Sequence, residues 1–239
     1  MSALEESGLI RLDRVSRTFP GPDPVHALRD VSLEVAPGEV VGIVGRSGSG
    51  KSTLLNVMGL LDRITAGNYL VNSESVNELS DHQATRLRAS FFGFVFQQSF
   101  LLSSLSAQEN VELALRPHRV SREVRQATAA EALNAVGLGH RRQAMPGTMS
   151  GGERQRAAIA RAVAQRPRVI LCDEPSGNLD ERTSSEIMAM LLDLASRGTA
   201  VVIVTHDLTL ARQLPRVLTV RDGAVSEGLD SALLAGRNG

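Results

Sequence analysis

Several residue types are scarce in this sequence, and each shortage narrows the possible functions. The chain contains no tryptophan, one tyrosine and one cysteine, Cys172. A single cysteine cannot form an internal disulfide, which favours a reducing compartment. The longest apolar runs, such as residues 200–204, fall far short of the roughly 20 residues that span a membrane. The first residues are acidic, which argues against a signal peptide. If the protein works at a membrane, we expect another chain to hold it there.

Lysine is the rarest charged residue. The chain has 26 basic and 26 acidic residues, so its formal net charge is zero. This balance disfavours a surface that tracks nucleic-acid phosphates, and no nucleic-acid partner is expected. Among the basic residues, Lys51 is the one lysine, and all others are arginine. The lysine side chain carries a compact ammonium on a flexible chain of four carbons, which suits phosphate binding. We predict that Lys51 binds a phosphate.

Lys51 lies in a glycine-rich segment whose pattern is typical of phosphate-binding loops. Residues 45–52 read Gly-Arg-Ser-Gly-Ser-Gly-Lys-Ser, which fits G-x-x-x-x-G-K-[ST]. An apolar run at 40–44 predicts a buried strand before the loop, and the pattern at 53–61 predicts a helix after it. Backbone N–H groups of such a loop close around phosphates, and the helix adds its positive dipole end. We expect Lys51 to reach the outer phosphates of a nucleotide and Ser52 to bind Mg²⁺.

Two carboxylates follow another apolar run. Residues 169–171 predict a buried strand, and Asp173 and Glu174 come directly after Cys172. Asp173 suits the Mg²⁺ shell because hard cations prefer oxygen ligands, and Glu174 is placed to polarise an attacking water. Taken alone, an acidic turn is an equally good interpretation. The phosphate-binding loop in the same chain favours the catalytic one. We interpret Cys172 as a core thiol.

A second anion-binding helix end is predicted at Ser150. This serine can cap a helix, and the two glycines that follow permit close approach to its free N–H groups. One nucleotide does not need two such ends from one chain. We therefore predict a two-fold dimer in which the Ser150 end of each chain closes the nucleotide site of the other. An ordinary capped helix is the alternative for this segment alone.

Strand and helix patterns alternate, which predicts an α/β fold with a mostly parallel sheet. Strands are predicted at 9–19, 29–35, 40–44, 69–76 as a small pair, 92–96, 169–171, 200–204, and 216–220 with 223–226 as a terminal hairpin. Helical patterns cover 53–61, 107–136, 150–164 and 183–196. Residues 229–239 read as a weak helix or a tail.

Together these motifs make the chain resemble the ATP-binding-cassette (ABC) ATPases over nearly its whole length. Residues 45–52 resemble the Walker A motif, Asp173-Glu174 the Walker B motif, and residues 150–153 the family signature. The resemblance implies a P-loop NTPase with a RecA-like core, an antiparallel β subdomain and an inserted α-helical subdomain. It divides one domain, 1–239, into a core of about 1–97 and 160–226, a helical subdomain of about 98–159 and a tail of 227–239.

The resemblance assigns roles to four further residues. Gln97 corresponds to the glutamine that contacts Mg²⁺ and senses a transmembrane partner, and His206 to the histidine that contacts the γ-phosphate. Asp180 falls in the D-loop. Phe19 falls where an aromatic residue stacks on adenine. Local strand packing is the alternative, and we favour stacking.

ATP and Mg²⁺ are the implied cofactors. The implied ATP-binding set is Phe19, Gly45, Arg46, Ser47, Gly48, Ser49, Gly50, Lys51, Ser52, Thr53, Gln97 and His206. The implied Mg²⁺ ligands are Ser52, Gln97 and Asp173, the catalytic residues are Glu174, His206 and Lys51, and the residues acting on the other chain's nucleotide are Ser150, Gly151, Gly152 and Glu153.

The segments Glu-Pro-Ser-Gly-Asn-Leu-Asp and Gly-Phe-Val-Phe-Gln-Gln resemble the MacB/LolD group, which serves lipoprotein release, macrolide, peptide and haem export, and cell division. This implies a location on the cytoplasmic face of the cell membrane. A separate FtsX-like permease would dock coupling helices near Gln97 and Phe100 and drive export or extraction. An ATPase driving a cell-wall or division regulator is a second possibility. A nucleic-acid-linked ATPase is disfavoured because only 99 positions separate Lys51 from Ser150.

Two features leave alternatives open. Five of the six phenylalanines lie between residues 91 and 100, either as alternating core residues or as the lining of a groove for the coupling helix. The turn at 72–75 lacks the glycine common there, so its shape is not predicted. Four histidines are interpreted as surface residues: His26, His82, His118 and His140.

Overall fold

The computed structural model describes residues 8–118 and 120–230. The strands are β1 (Ile10–Phe19), β2 (Val25–Val35), β3 (Val40–Gly45), β4 (Ala66–Val71), β5 (Glu74–Ser75), β6 (Phe92–Phe96), β7 (Val169–Asp173), β8 (Ala200–Val204), β9 (Arg216–Arg221) and β10 (Ala224–Glu227). The helices are α1 (Lys51–Met58), α2 (Asp81–Phe91), α3 (Ala107–Leu115), α4 (Arg122–Ala135), α5 (Gly151–Val163), α6 (Glu181–Ser196) and α7 (Leu208–Ala211). Short 3-10 helices cover Arg116–His118, Gly139–Arg141 and Pro146–Thr148.

A six-stranded sheet in the order β10-β9-β3-β8-β7-β6 forms the centre of the fold. Strands β9, β3, β8, β7 and β6 are parallel, and β10 is antiparallel to β9. Alternate residues of one strand enter two different hydrophobic clusters: Val169 and Leu171 join one, and Ile170 and Cys172 join the other. The sheet is thus covered on both faces, which is why its strands read as continuous apolar runs.

A second, four-stranded antiparallel sheet has the order β2-β1-β4-β5. Helices α3, α4 and α5 contact one another and lie between β6 and β7 in the chain. The predicted α/β class is confirmed by the sheet order and, below, by the structural relatives. The predicted boundaries of the core and the helical subdomain stay predictions.

The structure corrects several predicted elements. Strand β2 begins at Val25, four residues before the predicted start, and the predicted pair at 69–76 lies at β4 and β5. The helical pattern at 107–136 forms two helices, because Pro117 lies in a 3-10 turn and Ser121 caps a new helix. Residues 231–239 of the predicted tail lie outside the described residues.

Helix α2 was not predicted, although its start has a sequence signal. The Ser80 hydroxyl accepts a hydrogen bond from the Gln83 backbone N–H, and the Gln83 side chain accepts one from the Ser80 backbone. This reciprocal capping box is visible in the sequence as Ser-x-x-Gln. The helix buries little except Phe91, so its apolar periodicity is weak and the capping box is the clearer signal.

The turn between β4 and β5 takes an unusual conformation for its residues. Val71 pairs with Glu74, and the two residues between them, Asn72 and Ser73, have φ angles of 50° and 68°. Two positive φ values in a two-residue hairpin loop define a type I′ turn, in which glycine is favoured. The missing glycine has therefore not changed the turn type, and Ser73 holds a backbone conformation that is strained for an L-residue.

Replacing Ser73 with glycine should stabilise the protein. Relief of the left-handed strain is expected to raise the free energy of unfolding by about 0.5–1 kcal/mol. The measurement is equilibrium unfolding in urea. Ser75→Gly is the matched control, because Ser75 lies in the strand and glycine there should lower stability. A Ser73→Gly variant less stable than the parent would contradict the strain argument.

Candidate functional site

The predicted site residues converge at one edge of the central sheet. Strand β3 runs into the loop that ends at Lys51, β7 ends at Asp173, and β8 is followed by His206. Gln97 directly follows β6. Because these four strands are parallel neighbours, their carboxyl ends meet at the same edge. Residues far apart in the sequence thus lie next to each other.

The phosphate-binding loop is closely packed against the rest of the fold. Gly50 has a φ of 111°, and a Cβ there would lie 2.4 Å from the Ala27 carbonyl oxygen, so another residue would clash. Gly50 is also the N-cap of α1, and no side chain caps that helix. The first N–H groups of α1 therefore have no side-chain acceptor, which is the arrangement that binds anions.

Lys51 folds back across its own loop. Its Nζ donates hydrogen bonds to the carbonyl oxygens of Gly45, at 3.0 Å, and Arg46, at 2.8 Å. Burial lowers the pKa of Lys51, and the nearby charges of Glu174 and Asp173 oppose that shift. The ammonium thus lies at the loop and within electrostatic reach of both predicted catalytic carboxylates.

The two carboxylates have different surroundings. Burial raises the pKa of Asp173, with a further rise from Glu174 and an opposing effect from Lys51. Glu174 has a φ of 47°, and its backbone N–H donates to the Val204 carbonyl oxygen at 2.9 Å. Its Oε1 lies 2.8 Å from Nδ1 of His206. The chain turns sharply after β7, and this turn directs the Glu174 carboxylate towards the imidazole.

Gln97 contacts the segment that follows Glu174. Its Nε2 donates to Oδ1 of Asn178 at 3.3 Å. A Cβ on Gly177 would lie 3.0 Å from that nitrogen, so the glycine leaves room for the glutamine. Sequence reasoning did not single out Asn178 as a partner, because the two residues are 81 positions apart and only the sheet order brings them together.

Phe19 and the phosphate-binding loop share one cleft of about 620 Å³. Phe19 is 36% exposed at the end of β1, so its ring is not part of the core. His26 and Ala27 line the same cleft, together with residues 48–53. An exposed aromatic ring and the loop thus line the same cleft, where one ligand could contact both.

The signature segment forms a capped helix start away from this cleft. The Ser150 hydroxyl accepts a hydrogen bond from the Glu153 N–H at 3.1 Å, and Oε2 of Glu153 accepts one from the Ser150 N–H at 2.8 Å. Arg141, which the sequence did not single out, holds Oε1 of Glu153 at 3.1 Å. Within the described ranges 8–118 and 120–230, the residues lining the cleft do not include Ser150, Gly151, Gly152 or Glu153.

Asp180 begins α6. Its Oδ1 accepts a hydrogen bond from the Thr183 N–H at 3.0 Å, its Oδ2 accepts one from the Thr183 hydroxyl at 2.7 Å, and these bonds lower the pKa of Asp180. The predicted D-loop aspartate is thus a helix cap in this chain. Its contact with a second copy stays a prediction.

Some phenylalanines between residues 91 and 100 pack in the core, as the first hypothesis predicts, and one is exposed, as a groove for a coupling helix requires. Phe91 and Phe92 are buried in the core, whereas Phe100 is 61% exposed and stacks edge-on against Phe96. Arg161 donates to the Phe100 carbonyl oxygen at 2.7 Å and so supports this segment from α5. Core packing therefore explains the first members, and the last one is available at the surface.

The remaining predicted surface and core residues follow the sequence reasoning. Cys172 is fully buried, and burial raises the pKa of its thiol well above the usual range. The four histidines interpreted as surface residues are exposed, and His26 among them also lines the cleft: His26, His82, His118 and His140.

A protein-family model described as ABC transporter matches residues 28–177, more than half of the chain. The chain belongs to the ABC transporter family. A lipoprotein-releasing system ATP-binding protein, LolD 2 of Caulobacter vibrioides, is 47% identical over 213 residues, which are 89% of this chain and 92% of that protein. The macrolide export ATP-binding/permease protein MacB of Escherichia coli K12 is 44% identical over 218 residues, which are 91% of this chain and 34% of MacB.

This ABC cassette therefore spans about a third of the MacB relatives that it matches. A solved dimeric ATP-binding cassette, MJ0796 in a post-hydrolysis state bound to ADP and Pi, is 41% identical, with a TM-score of 0.84 over 92% of this chain and 97% of that one. The solved structure of cbiO1 from Clostridium perfringens, part of the ABC transporter complex cbiONQ, is 26% identical with a TM-score of 0.83, over 97% of this chain and 92% of that one.

These relatives confirm the predicted family, its MacB/LolD-like type, ATP binding and ATPase activity. In the part of the chain that the structure describes, no helix is long and apolar enough to cross a membrane.

Proposed function

We propose that two copies of this cassette close head to tail over two ATP molecules and drive a separate membrane permease. The proposal is supported by the positions of the two helix starts that are predicted to bind anions. The start of α1 lines the cleft with Phe19, whereas Gly151 at the start of α5 lines the groove beside Gln97. A second copy would bring its own Ser150 to that cleft, and the solved relative MJ0796 is dimeric.

In each cleft, the phosphates would bind the N–H groups at the start of α1. Lys51 would exchange its bonds to the Gly45 and Arg46 carbonyl oxygens for the outer phosphates. The close packing that Gly50 permits supports this fit, since a larger residue would clash with the Ala27 carbonyl oxygen and displace the loop. Adenine would stack on the exposed ring of Phe19.

The side chains at the loop suit Mg²⁺. Ser52, Gln97 and Asp173 offer oxygen ligands, which a hard cation prefers. In residues 8–118 and 120–230, no group of three or more His, Cys, Asp or Glu side chains could hold a metal alone. Phosphate oxygens and water would therefore complete the shell. When bound, Mg²⁺ would neutralise phosphate charge, and it would stabilise the Asp173 carboxylate, whose pKa is raised by burial in its absence.

Glu174 is the residue that would activate water. Oε1 of Glu174 lies 2.8 Å from Nδ1 of His206, and this contact orients the carboxylate. The His206 ring would also contact the γ-phosphate. Glu174 has access to solvent, with a side chain 23% exposed. The pair thus combines a base with a group that positions it.

The permease would dock beside Gln97. A groove of about 410 Å³ there is lined by residues that include Gln97, Phe100, Gly151 and Arg154. The exposed ring of Phe100 supports an apolar coupling helix as its occupant. Because Gln97 bonds to Asn178 near Glu174, motion in this groove would reach the hydrolytic residues. We place the protein on the cytoplasmic face of the cell membrane, in export or extraction of a substrate, as the names of the MacB and LolD relatives suggest.

Ser150 provides a test of closure by a second copy. Asp and Asn are both good helix caps, so Ser150→Asp and Ser150→Asn should keep α5 and its capping box. Only aspartate places a negative charge where the partner's phosphates would bind. We expect Ser150→Asp to lower the steady-state ATPase rate about tenfold or more relative to Ser150→Asn, since that factor corresponds to about 1.4 kcal/mol of repulsion.

The comparison is made at saturating ATP, with ATP binding measured in parallel. Binding to the chain's own cleft should be similar in both variants. Equal ATPase rates for the two variants would contradict the role of Ser150 in the site.

A further inference from the structure

Arg17 lies against one side of the Phe19 ring. Its guanidinium carbon is 4.2 Å from the ring centroid, and both residues belong to β1. At this distance the cation is attracted to the electron-rich face of the ring. Residues two apart on a strand point to the same side, so the contact follows from the strand geometry.

An ion pair holds this guanidinium in place. Nη2 of Arg17 lies 2.7 Å from Oδ1 of Asp62, and the two side chains are only 18% and 21% exposed. Nε of Arg17 is buried and, in the described part of the chain, lacks a hydrogen-bond partner. Burying an incompletely bonded guanidinium is costly, so the pair does not simply add stability.

Asp62 is itself fixed to the helix that follows the phosphate-binding loop. The backbone N–H groups of Leu61 and Asp62 both donate to the Asn56 carbonyl oxygen, at 2.8 and 3.2 Å. Asn56 belongs to α1, which begins at Lys51 and is eight residues long. The N-terminal end of this short helix would therefore face the phosphates of a bound nucleotide, and its C-terminal end fixes the partner of Arg17.

The contact with Arg17 does not fill the cleft. Phe19 lines the cleft that contains the loop, whereas Arg17 is not among the residues that line it. The guanidinium therefore contacts the ring while leaving the cleft free for a ligand.

We propose that Arg17 is a positioning residue for the adenine base. Held by Asp62, it fixes the plane of the Phe19 ring at a set distance from the phosphate-binding loop. This proposal rests on the proposed stacking of adenine on Phe19. Without Arg17 the ring would turn more freely, and the base would lose a preorganised platform while the phosphates would still bind.

The test compares ATP with inorganic tripolyphosphate, which has the phosphates but no base. Dissociation constants are measured by calorimetry in the presence of Mg²⁺. We expect Arg17→Ala to weaken ATP binding about fivefold, the size of a cation–π contact, and to leave tripolyphosphate binding unchanged. Arg17→Lys, which keeps the charge, should restore most of the ATP affinity. Arg14→Ala is the control on the same strand, because Arg14 is exposed and, among the residues that the structure describes, forms its one ion pair with the neighbouring Asp13.

The Phe19→Ala variant separates this proposal from the stacking on which it rests. Phe19→Ala should weaken ATP binding, and adding Arg17→Ala to it should cause no further loss. If Phe19→Ala binds ATP normally, the stacking itself is wrong. If Phe19→Ala is weakened but Arg17→Ala is normal, the positioning role alone is overturned. Equal losses of ATP and tripolyphosphate in Arg17→Ala would also overturn it, since they would indicate a structural role.

Discussion

Replacing Lys51 with alanine should weaken ATP binding by about a hundredfold, the order expected when a charge-assisted bond to phosphate is lost. Lys51 is the chain's one lysine, and its ammonium donates hydrogen bonds to two carbonyl oxygens of the loop, those of Gly45 and Arg46. No other lysine could take over its role. The measurement is equilibrium binding of ATP with Mg²⁺ present.

Two controls distinguish lost binding from lost folding. Lys51→Arg keeps the charge but replaces the compact ammonium with a planar guanidinium, and we expect it to bind poorly as well. Thermal unfolding without nucleotide should change little in either variant.

Amine labelling of the wild type gives an independent test. An amine-specific reagent can label only the chain terminus and Lys51, because the sequence has one lysine. ATP should protect Lys51 from this reagent, and mass spectrometry measures the protection. Wild-type affinity in Lys51→Ala would contradict the assignment.

Replacing Glu174 with glutamine should slow hydrolysis by about a hundredfold or more, the lower range for loss of a general base. Glutamine keeps the shape of the side chain and can still contact His206, but it cannot accept a proton from water. ATP should bind normally, so ATP-bound dimers should accumulate. The measurements are steady-state ATPase rate and light scattering after size-exclusion chromatography with ATP.

Glu78→Gln is the matched control for that substitution, because Glu78 is an exposed acidic residue outside the cleft. It should hydrolyse ATP at the wild-type rate and form no stable dimer. A Glu174→Gln variant with normal ATPase activity would show that another group activates the water.

Local sequence patterns predicted the parts of the site that lie within one segment. The glycine-rich loop before Lys51, the carboxylates Asp173 and Glu174 and the cap at Ser150 each depend on neighbours in the chain. The structure has a helix directly after the loop, a strand that ends at Asp173 and a helix capped by Ser150. The parallel sheet was predictable because buried strands such as β3 and β8 are apolar throughout.

Contacts across the sheet edge were not predictable from those patterns. The pairs Glu174–His206 and Gln97–Asn178 depend on the strand order β3-β8-β7-β6, which no local signal encodes. The Arg17–Asp62 pair depends likewise on how the antiparallel sheet lies against α1. Helix α2 was missed for a different reason, since its capping box was present in the sequence but its apolar face is small.

If each nucleotide site needs the loop of one chain and the signature of another, two variants that are inactive for different reasons should restore activity when they are mixed. Lys51→Ala keeps a working Ser150 end, and Ser150→Asp keeps a working loop, so a mixed dimer would contain one intact site. Purified alone, each variant should show little ATPase activity. Mixed in equal amounts, they should recover up to about a quarter of the wild-type rate, because half of the randomly formed dimers are mixed and each has one of two sites intact. A mixture no more active than its separate components would contradict a site shared between two chains.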